Sequence, residues 1–285
     1  MVQYSFVGKN ALVPGSSKGI GRAVALALAK GGANVVVNCS GSRAQAEEVA
    51  AEIRALGRKS YVAVCDVSDQ SAVEAMVAGV VQELGSLDMF VSNAVYSDRE
   101  LMVNAKMEGF RRTIEVSMWG AMYGVRAAAQ QMLKQESRGR ITVISSPHAI
   151  IPFPTAMAYN MAKAGLTALS ESLMIETAGT GVVVLDVRPG DYRTDFEGSV
   201  TRLPGSRSPR AARAWKAFEA MMRSGPPPAH AAASLRRALL RNRSGTVRTG
   251  RFFQATLAPL LTRLSPLALS RRIQAGYFEI GRAHV

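Results

Sequence analysis

Short apolar runs alternate with longer amphipathic ones through the first two thirds of the chain. Residues 9–13 (Lys-Asn-Ala-Leu-Val) and 34–38 (Asn-Val-Val-Val-Asn) read as buried strands, and residues 22–30 between them carry a helical period. Further apolar runs at 61–65, 89–92, 141–145 and 182–188 repeat the strand–helix alternation. Strands that are mostly apolar rather than alternating are those covered on both faces, as in a parallel sheet between helix layers. The pattern predicts an α/β fold, a doubly wound parallel sheet with helices on both faces. A chain of 285 residues is long enough to bury one sizeable core of this kind.

Beyond residue 200 the pattern changes. A loop rich in Pro, Gly, Ser and Arg (202–210) leads into helical segments near 211–223 and 230–241, separated by Pro226-Pro227-Pro228. Thr246-Val247-Arg248 has the form of a last strand. Residues 252–273 are apolar with interspersed arginines, and Pro259 and Pro266 argue against one long helix there. The expected division is a main domain over 1–250 and a basic, apolar C-terminal extension over 251–285.

Between the first strand and the first helix stands Gly15-Ser16-Ser17-Lys18-Gly19-Ile20-Gly21. Strand, glycine turn and helix form the first unit of a Rossmann-type sheet. There the glycines let the backbone approach a pyrophosphate seated on the helix N-terminus. The spacing is G-x-x-x-G-x-G rather than the tighter G-x-G-x-x-G. A second motif is Tyr159-Asn160-Met161-Ala162-Lys163, with Ser146 thirteen positions upstream. A phenol and an ammonium four residues apart share one helix face. The nearby cation is expected to lower the tyrosine pKa from its usual value of about 10 toward the working range. Ser146 closes the apolar run 140–145, so its hydroxyl is expected at a strand end beside the Tyr159 helix. From there it can bond the same substrate oxygen that Tyr159 protonates. The three together describe reduction of a carbonyl, or its reverse.

Charge is unevenly spread. Residues 1–199 carry 19 Lys and Arg against 19 Asp and Glu, so the formal net charge of +14 resides in residues 200–285. That segment has 16 basic residues, 15 of them Arg, against Glu219 and Glu279. With few aromatics among the arginines and no recognisable module, nucleic acid is not an expected partner. Leu257, Leu260, Leu261, Leu264, Leu267 and Leu269, flanked by Arg251, Arg263, Arg271 and Arg272, leave two readings open. The leucines pack on the body or a second subunit, or they make peripheral contact with an anionic membrane. No run reaches the ~18–20 apolar residues of a membrane span. The N-terminus lacks a basic-then-apolar export signal, and Cys39 and Cys65 read as reduced thiols, so a cytoplasmic location is expected. His148, His230 and His284 are scattered, and no metal is expected. Residues 280–285 (Ile-Gly-Arg-Ala-His-Val) can be back-translated to a string resembling a common sequencing-library adapter. They are therefore read as foreign to the gene, which recloning of the locus would test.

With these motifs in order, the chain resembles the short-chain dehydrogenase/reductase family in its compact single-domain form, over about residues 6–198. The matching stations are the glycine turn, Asp66-Val67, Ser92-Asn93-Ala94, Ser146, Tyr159 with Lys163, and Pro189-Gly190. The resemblance implies an NAD(P)-binding oxidoreductase acting on a small carbonyl or alcohol substrate, working as a homodimer or homotetramer. It implies that Gly15, Ser17, Lys18, Gly19, Ile20 and Gly21 cradle the cofactor, with Asp66 and Val67 at the adenine and Asn93 holding the strand beside it. Lys163 would also bind the nicotinamide ribose, and Pro189, Gly190 and Thr194 would line the carboxamide. Ser117 stands where the family has a catalytic Asn that holds a water, so a weakened proton relay is expected. Pro14 replaces a Thr that ties the turn to the Asn93 segment, so that tie is expected to be missing; Val95 replaces a glycine. The second strand ends in Asn38-Cys39-Ser40 without a carboxylate, and Lys18 and Arg43 supply positive charge, which favours NADP(H) over NAD(H). The greasy, basic ending resembles branches that handle lipophilic ketones and alcohols. A catalytically silent NADP-binding sensor or partner-binding protein is the alternative. The loop 191–224, expected to form the substrate pocket, has no diagnostic chemistry.

Overall fold

Seven parallel strands carry the fold, in the spatial order β3-β2-β1-β4-β6-β7-β9. In the computed structural model, which describes residues 4–135, 139–194, 200–202 and 209–277, they are β1 (Asn10–Val13), β2 (Asn34–Cys39), β3 (Val62–Val64), β4 (Met89–Ser92), β6 (Arg140–Ile144), β7 (Val183–Pro189) and β9 (Gly245–Thr249). A small separate sheet pairs β5 (Ser97–Arg99) with β8 (Val200–Arg202). The expected strands are all present, with ends shifted by a residue or two. Residues 280–285, and parts of the loop 191–224, lie outside the described residues.

The apolar runs divide between two cores by simple alternation. Ala11, Val13, Val35, Val37, Met89 and Val91 point to one face. There they meet Val24 and Leu28 of α1 (Gly19–Lys30), Val49 and Ile53 of α2 (Arg43–Ala55), and Leu235 and Leu239 of α8 (Pro228–Leu239). Leu12, Val36, Phe90, Ile141 and Val143 point to the other. They meet Val80 of α3 (Gln70–Leu84), Val125 and Met132 of α5 (Gly120–Lys134) and Leu166 of α6 (Met157–Glu176). A strand with both faces buried needs no polar side, which is why these runs are mostly apolar.

The chain winds outward from β1 in one direction and from β4 in the other. A cleft therefore opens beyond the carboxyl ends of these two strands, the usual ligand position in open α/β sheets. Cys39 and Cys65 are free and buried near the ends of neighbouring strands, and burial pushes both thiols up, Cys65 to about 11. Helices α4 (Met107–Ile114) and α7 (Pro209–Arg223) flank the cleft side.

In the C-terminal extension Pro259 does not interrupt the helix. Its missing N–H and its ring are absorbed by a wide turn over Phe253–Leu257, where the Ala258 amide bonds back to the Phe253 carbonyl, and α9 (Ala258–Leu264) continues. Pro266 does separate α9 from α10 (Leu267–Tyr277). Leu260, Leu264 and Leu267 are at least half exposed. No helix among the described residues is long and apolar enough to cross a membrane.

Candidate active site

The glycine turn is built for close approach. Gly15 and Gly19 hold φ of +67° and +59°, the left-handed region that glycine enters without strain. Gly21 is needed for space: a Cβ there would lie 2.4 Å from the Gly15 carbonyl oxygen and 2.5 Å from the Asn93 amide nitrogen. Lys18 precedes α1 without capping it through its side chain, so no side chain occupies the helix N-terminus and its positive dipole end. Asn38, at the end of β2, accepts from the Gly15 amide at 3.1 Å and donates to the carbonyls of Ala63 (2.9 Å) and Cys65 (3.1 Å). Its side chain thus staples the turn to β3. The tie expected to be lost with Pro14 is made from the other side: Asn93 Nδ2 donates to the carbonyls of Pro14 (3.2 Å) and Gly15 (3.0 Å).

At the far end of the cleft, β6 delivers Ser146 and α6 delivers Tyr159 and Lys163. Ser146 hydrogen-bonds the Tyr159 phenol and accepts the His148 amide at 3.2 Å. Lys163 is buried; its Nζ donates to the Ile144 carbonyl at 2.7 Å and lies 5.5 Å from the Tyr159 ring centroid. Burial lowers the Lys163 pKa to about 8, against the pull of Asp186. The Tyr159 pKa moves opposite to the sequence expectation. Burial raises it, the Ser146 hydrogen bond and Arg99 oppose that rise, and Asp191 adds to it. Lys163 spends its ammonium on Ile144 at the strand end; the cation that favours the phenolate here is Arg99.

One cleft of about 400 Å³ joins these two ends. All the expected cofactor residues except Arg43 line it, together with Ser146, Tyr159 and Lys163. Arg43 is exposed on the first turn of α2, where it lies close enough to Cys39 to favour its thiolate; its neighbour Ser42 lines the cleft and Arg43 does not. Ser117 does not line it either. A wide helical turn over Glu115–Trp119 buries Ser117 fully, and its hydroxyl donates to the Tyr96 carbonyl (2.7 Å) and accepts the Tyr96 amide (3.0 Å). With its one proton committed to Tyr96, it has none to pass to Lys163. Asp66 stands at the cleft edge, paired with Arg112 at 2.5 Å. Burial pushes its carboxyl up, but bonds from the Ser68 amide, Arg112 and the Ser68 hydroxyl outweigh this and hold it below the usual range.

Several cleft residues were missed from the sequence. Arg99 and His148 sit beside Tyr159, and Asp191, the first residue of the loop expected to form the pocket, lies in the same cleft. Gln254 reaches in from beyond residue 250, accepting the Asp191 amide at 3.1 Å and donating to the Asp191 carboxylate. Burial lowers the His148 pKa, with Asp191 and the Ile151 carbonyl opposing that fall. A charged triplet such as Asp98-Arg99-Glu100 carries no signal of burial, and only the folded chain shows Arg99 turned inward.

A glycine cradle, an open helix N-terminus and a Ser–Tyr–Lys set across one cleft define a dinucleotide-binding oxidoreductase of the doubly wound class. The family model for the short chain dehydrogenases matches residues 9–203, and the chain belongs to that family. It is similar to the 3-oxoacyl-(acyl-carrier-protein) reductase FabG of Staphylococcus aureus, 38% identical over 188 residues, which are 66% of this chain and 76% of that protein. It is also similar to glucose 1-dehydrogenase 2 of Bacillus subtilis, 34% identical over 189 residues, 66% of this chain and 73% of that one. Among solved structures, the alcohol dehydrogenase of Thermococcus sibiricus complexed with 5-hydroxy-NADP superposes with a TM-score of 0.72 at 25% identity. That match covers 86% of this chain and 97% of that one.

Proposed function

We propose that the protein is an NADP(H)-dependent oxidoreductase that interconverts a ketone or aldehyde with the corresponding alcohol. The observation that carries this reading is the convergence of Ser146, Tyr159 and Lys163 on a cleft whose other end is the Gly15–Gly21 cradle. The cradle suits a dinucleotide because Gly15 and Gly21 leave no room for a Cβ and Lys18 leaves the α1 N-terminus uncapped. NADP(H) is favoured because β2 ends without a carboxylate and exposed Lys18 lies on the cleft wall. The 5-hydroxy-NADP bound by the Thermococcus protein supports the same choice. Asp66 and Val67 would take the adenine end, Lys163 the ribose, and Pro189, Gly190 and Thr194 the nicotinamide end. When bound, the nicotinamide would supply or accept the hydride.

Tyr159 gives its proton to the carbonyl oxygen while Ser146 bonds the same oxygen. A phenol held neutral by burial is already in the donating form, so reduction runs without prior deprotonation. The reverse direction needs the phenolate and should speed up as pH rises. Val95, Phe218 and Met222 in the lining suit an apolar substrate body. A homodimer or homotetramer would cover the exposed leucines of α9 and α10; static light scattering of a Leu260→Ser, Leu264→Ser, Leu267→Ser variant, expected to be smaller than the native assembly, tests that. The function itself is tested by NADPH and NADH oxidation over a panel of carbonyl compounds, with Tyr159→Phe as the control. Turnover should fall by about 10²–10⁴-fold in that variant while NADPH still binds. Near-native turnover would remove Tyr159 from the mechanism.

A further inference from the structure

Arg99 is one of the cleft residues that the Ser146–Tyr159–Lys163 set leaves without a role. It ends β5 and is 6% exposed. Its guanidinium carbon lies 4.2 Å from the Phe218 ring centroid, 5.1 Å from that of Phe153 and 5.6 Å from that of Tyr159. Three aromatic faces offer a cation some attraction, but they satisfy none of its N–H donors. Nε and Nη1 are buried and make no hydrogen bond, and no ion pair joins Arg99 among the described residues. Burying a charge without a partner is costly, and a fold keeps one only where something else repays it. The nearby acid, Asp191, is turned to Gln254 and does not bond the guanidinium. Burial lowers the Arg99 pKa to about 10, still well above neutrality, so the group is charged in the working range.

We propose that Arg99 receives an anionic group of the substrate, so that the compound handled here is an oxo acid and the corresponding hydroxy acid. The inference rests on the roles given above to Ser146 and Tyr159. The guanidinium lines the cleft, and its Nη2 is neither among the buried donors nor hydrogen-bonded among the described residues, so the charge can meet an anionic oxygen there. Because Arg99 abuts the Tyr159 ring, a carboxylate on it shares the Tyr159 end of the cleft with the reacting carbonyl. Phe218 and Met222 face the same space and take the alkyl remainder. The lipophilic substrate expected from the sequence thereby gains a charged end. In the reduction a bound NADPH would supply the hydride to the carbonyl carbon, Tyr159 would give its proton to the oxygen, and the carboxylate would stay unchanged on Arg99.

The test uses the full chain with NADPH and two probes, 3-oxohexanoate and its methyl ester, which differ in the charge. The native protein should prefer the acid in kcat/KM by about 10–100-fold, the range expected for a charge-assisted hydrogen bond. Arg99→Met should collapse that ratio to near one, mainly through KM for the acid, and Arg99→Lys should keep part of it. Equal use of acid and ester by the native protein, or an unchanged ratio in Arg99→Met, overturns the proposal while leaving the carbonyl reductase reading intact. If neither probe nor any other carbonyl is turned over, that broader reading fails on its own account. Calorimetric binding of 3-oxohexanoate to the NADPH-loaded protein then decides: binding lost in Arg99→Met supports the proposal, and no binding to the native protein overturns it. Should Arg99→Met not fold, the acid-to-ester ratio of the native protein decides alone.

Discussion

Replacing Lys163 by methionine is expected to stabilise the fold at neutral pH while ending turnover. Lys163 is 3% exposed, and burial, opposed by Asp186, brings its pKa from 10.5 to about 8. At ~1.4 kcal/mol per unit, that depression means keeping Lys163 protonated in the fold at pH 7 costs about 3 kcal/mol. Methionine keeps an unbranched apolar stem and removes the charge. It also removes the 2.7 Å bond to the Ile144 carbonyl, a loss of about 1 kcal/mol. Asp186 is not left bare, because Arg188 pairs with it at 2.6 Å and Ser145 donates to it. The net gain at pH 7 is about 2 kcal/mol. The sign with pH follows from proton counting. Between about 8 and 10.5 the unfolded lysine still holds its proton and the folded one has lost it, so native stability rises with pH through that window. The gap between the two proteins should therefore narrow as pH goes from 7 to 10. Urea unfolding of both at the two pH values measures it. A variant less stable than the native protein at pH 7, or a gap that does not move with pH, refutes the reasoning.

Other perturbations separate the roles of neighbouring residues. Gly21→Ala should cost about 1–3 kcal/mol in thermal or urea unfolding and weaken cofactor binding, because the new methyl displaces the Gly15 carbonyl and Asn93. Ser117→Ala should destabilise by about 1–3 kcal/mol through the two lost Tyr96 bonds, with kcat per folded molecule little changed; a large kcat loss with native stability would restore Ser117 to a proton relay. Lys18→Ala should raise the Kd for NADPH by about tenfold or more and that for NADH far less, while Arg43→Ala, outside the cleft, should have the smaller effect; fluorescence titration of both cofactors checks this. Alcohol oxidation should rise as pH climbs toward the raised Tyr159 pKa while reduction stays flat; a pH profile with the opposite asymmetry counts against Tyr159 as a neutral resting phenol.

The sheet was legible because its rules are local. Residues 11–13 and 35–37 are apolar on both alternating faces, which only a strand between two helix layers requires, and the glycine turn between them needs positive φ at Gly15 and Gly19. What escaped reading was set by distant partners. β5 is three polar or charged residues whose strand form comes from pairing with β8 about a hundred positions later. Asn38 was read for the carboxylate it lacks, whereas its side chain holds the turn to β3 through contacts 23 to 27 positions away. Pro259 looked like a break, yet the wide turn ahead of it accommodates the ring and leads Gln254 to Asp191.

The site shows the same divide in its charges. Helical spacing correctly puts Tyr159 and Lys163 on one face, but spacing alone gives neither the direction of the ammonium nor the cost of burial. Lys163 bonds the end of β6, and the electrostatic neighbour of the phenol is Arg99, from a segment that reads as surface. Arg99, Lys163, Asp186 and Arg188 are all nearly buried around this end of the cleft, and Asp186 with Arg188 satisfy one another. Lys163 has only a carbonyl, and Arg99 keeps two donors unused. If stability alone favours apolar replacements at both positions, their retention fits a ligand that each meets only during function. On the function proposed above, Lys163 would meet the ribose of the cofactor, and on the further proposal Arg99 would meet the charged end of the substrate. A chain in which both replacements stabilise the fold and both damage kcat/KM, Lys163→Met for every substrate and Arg99→Met for acids above esters, would show the two costs to be of one kind.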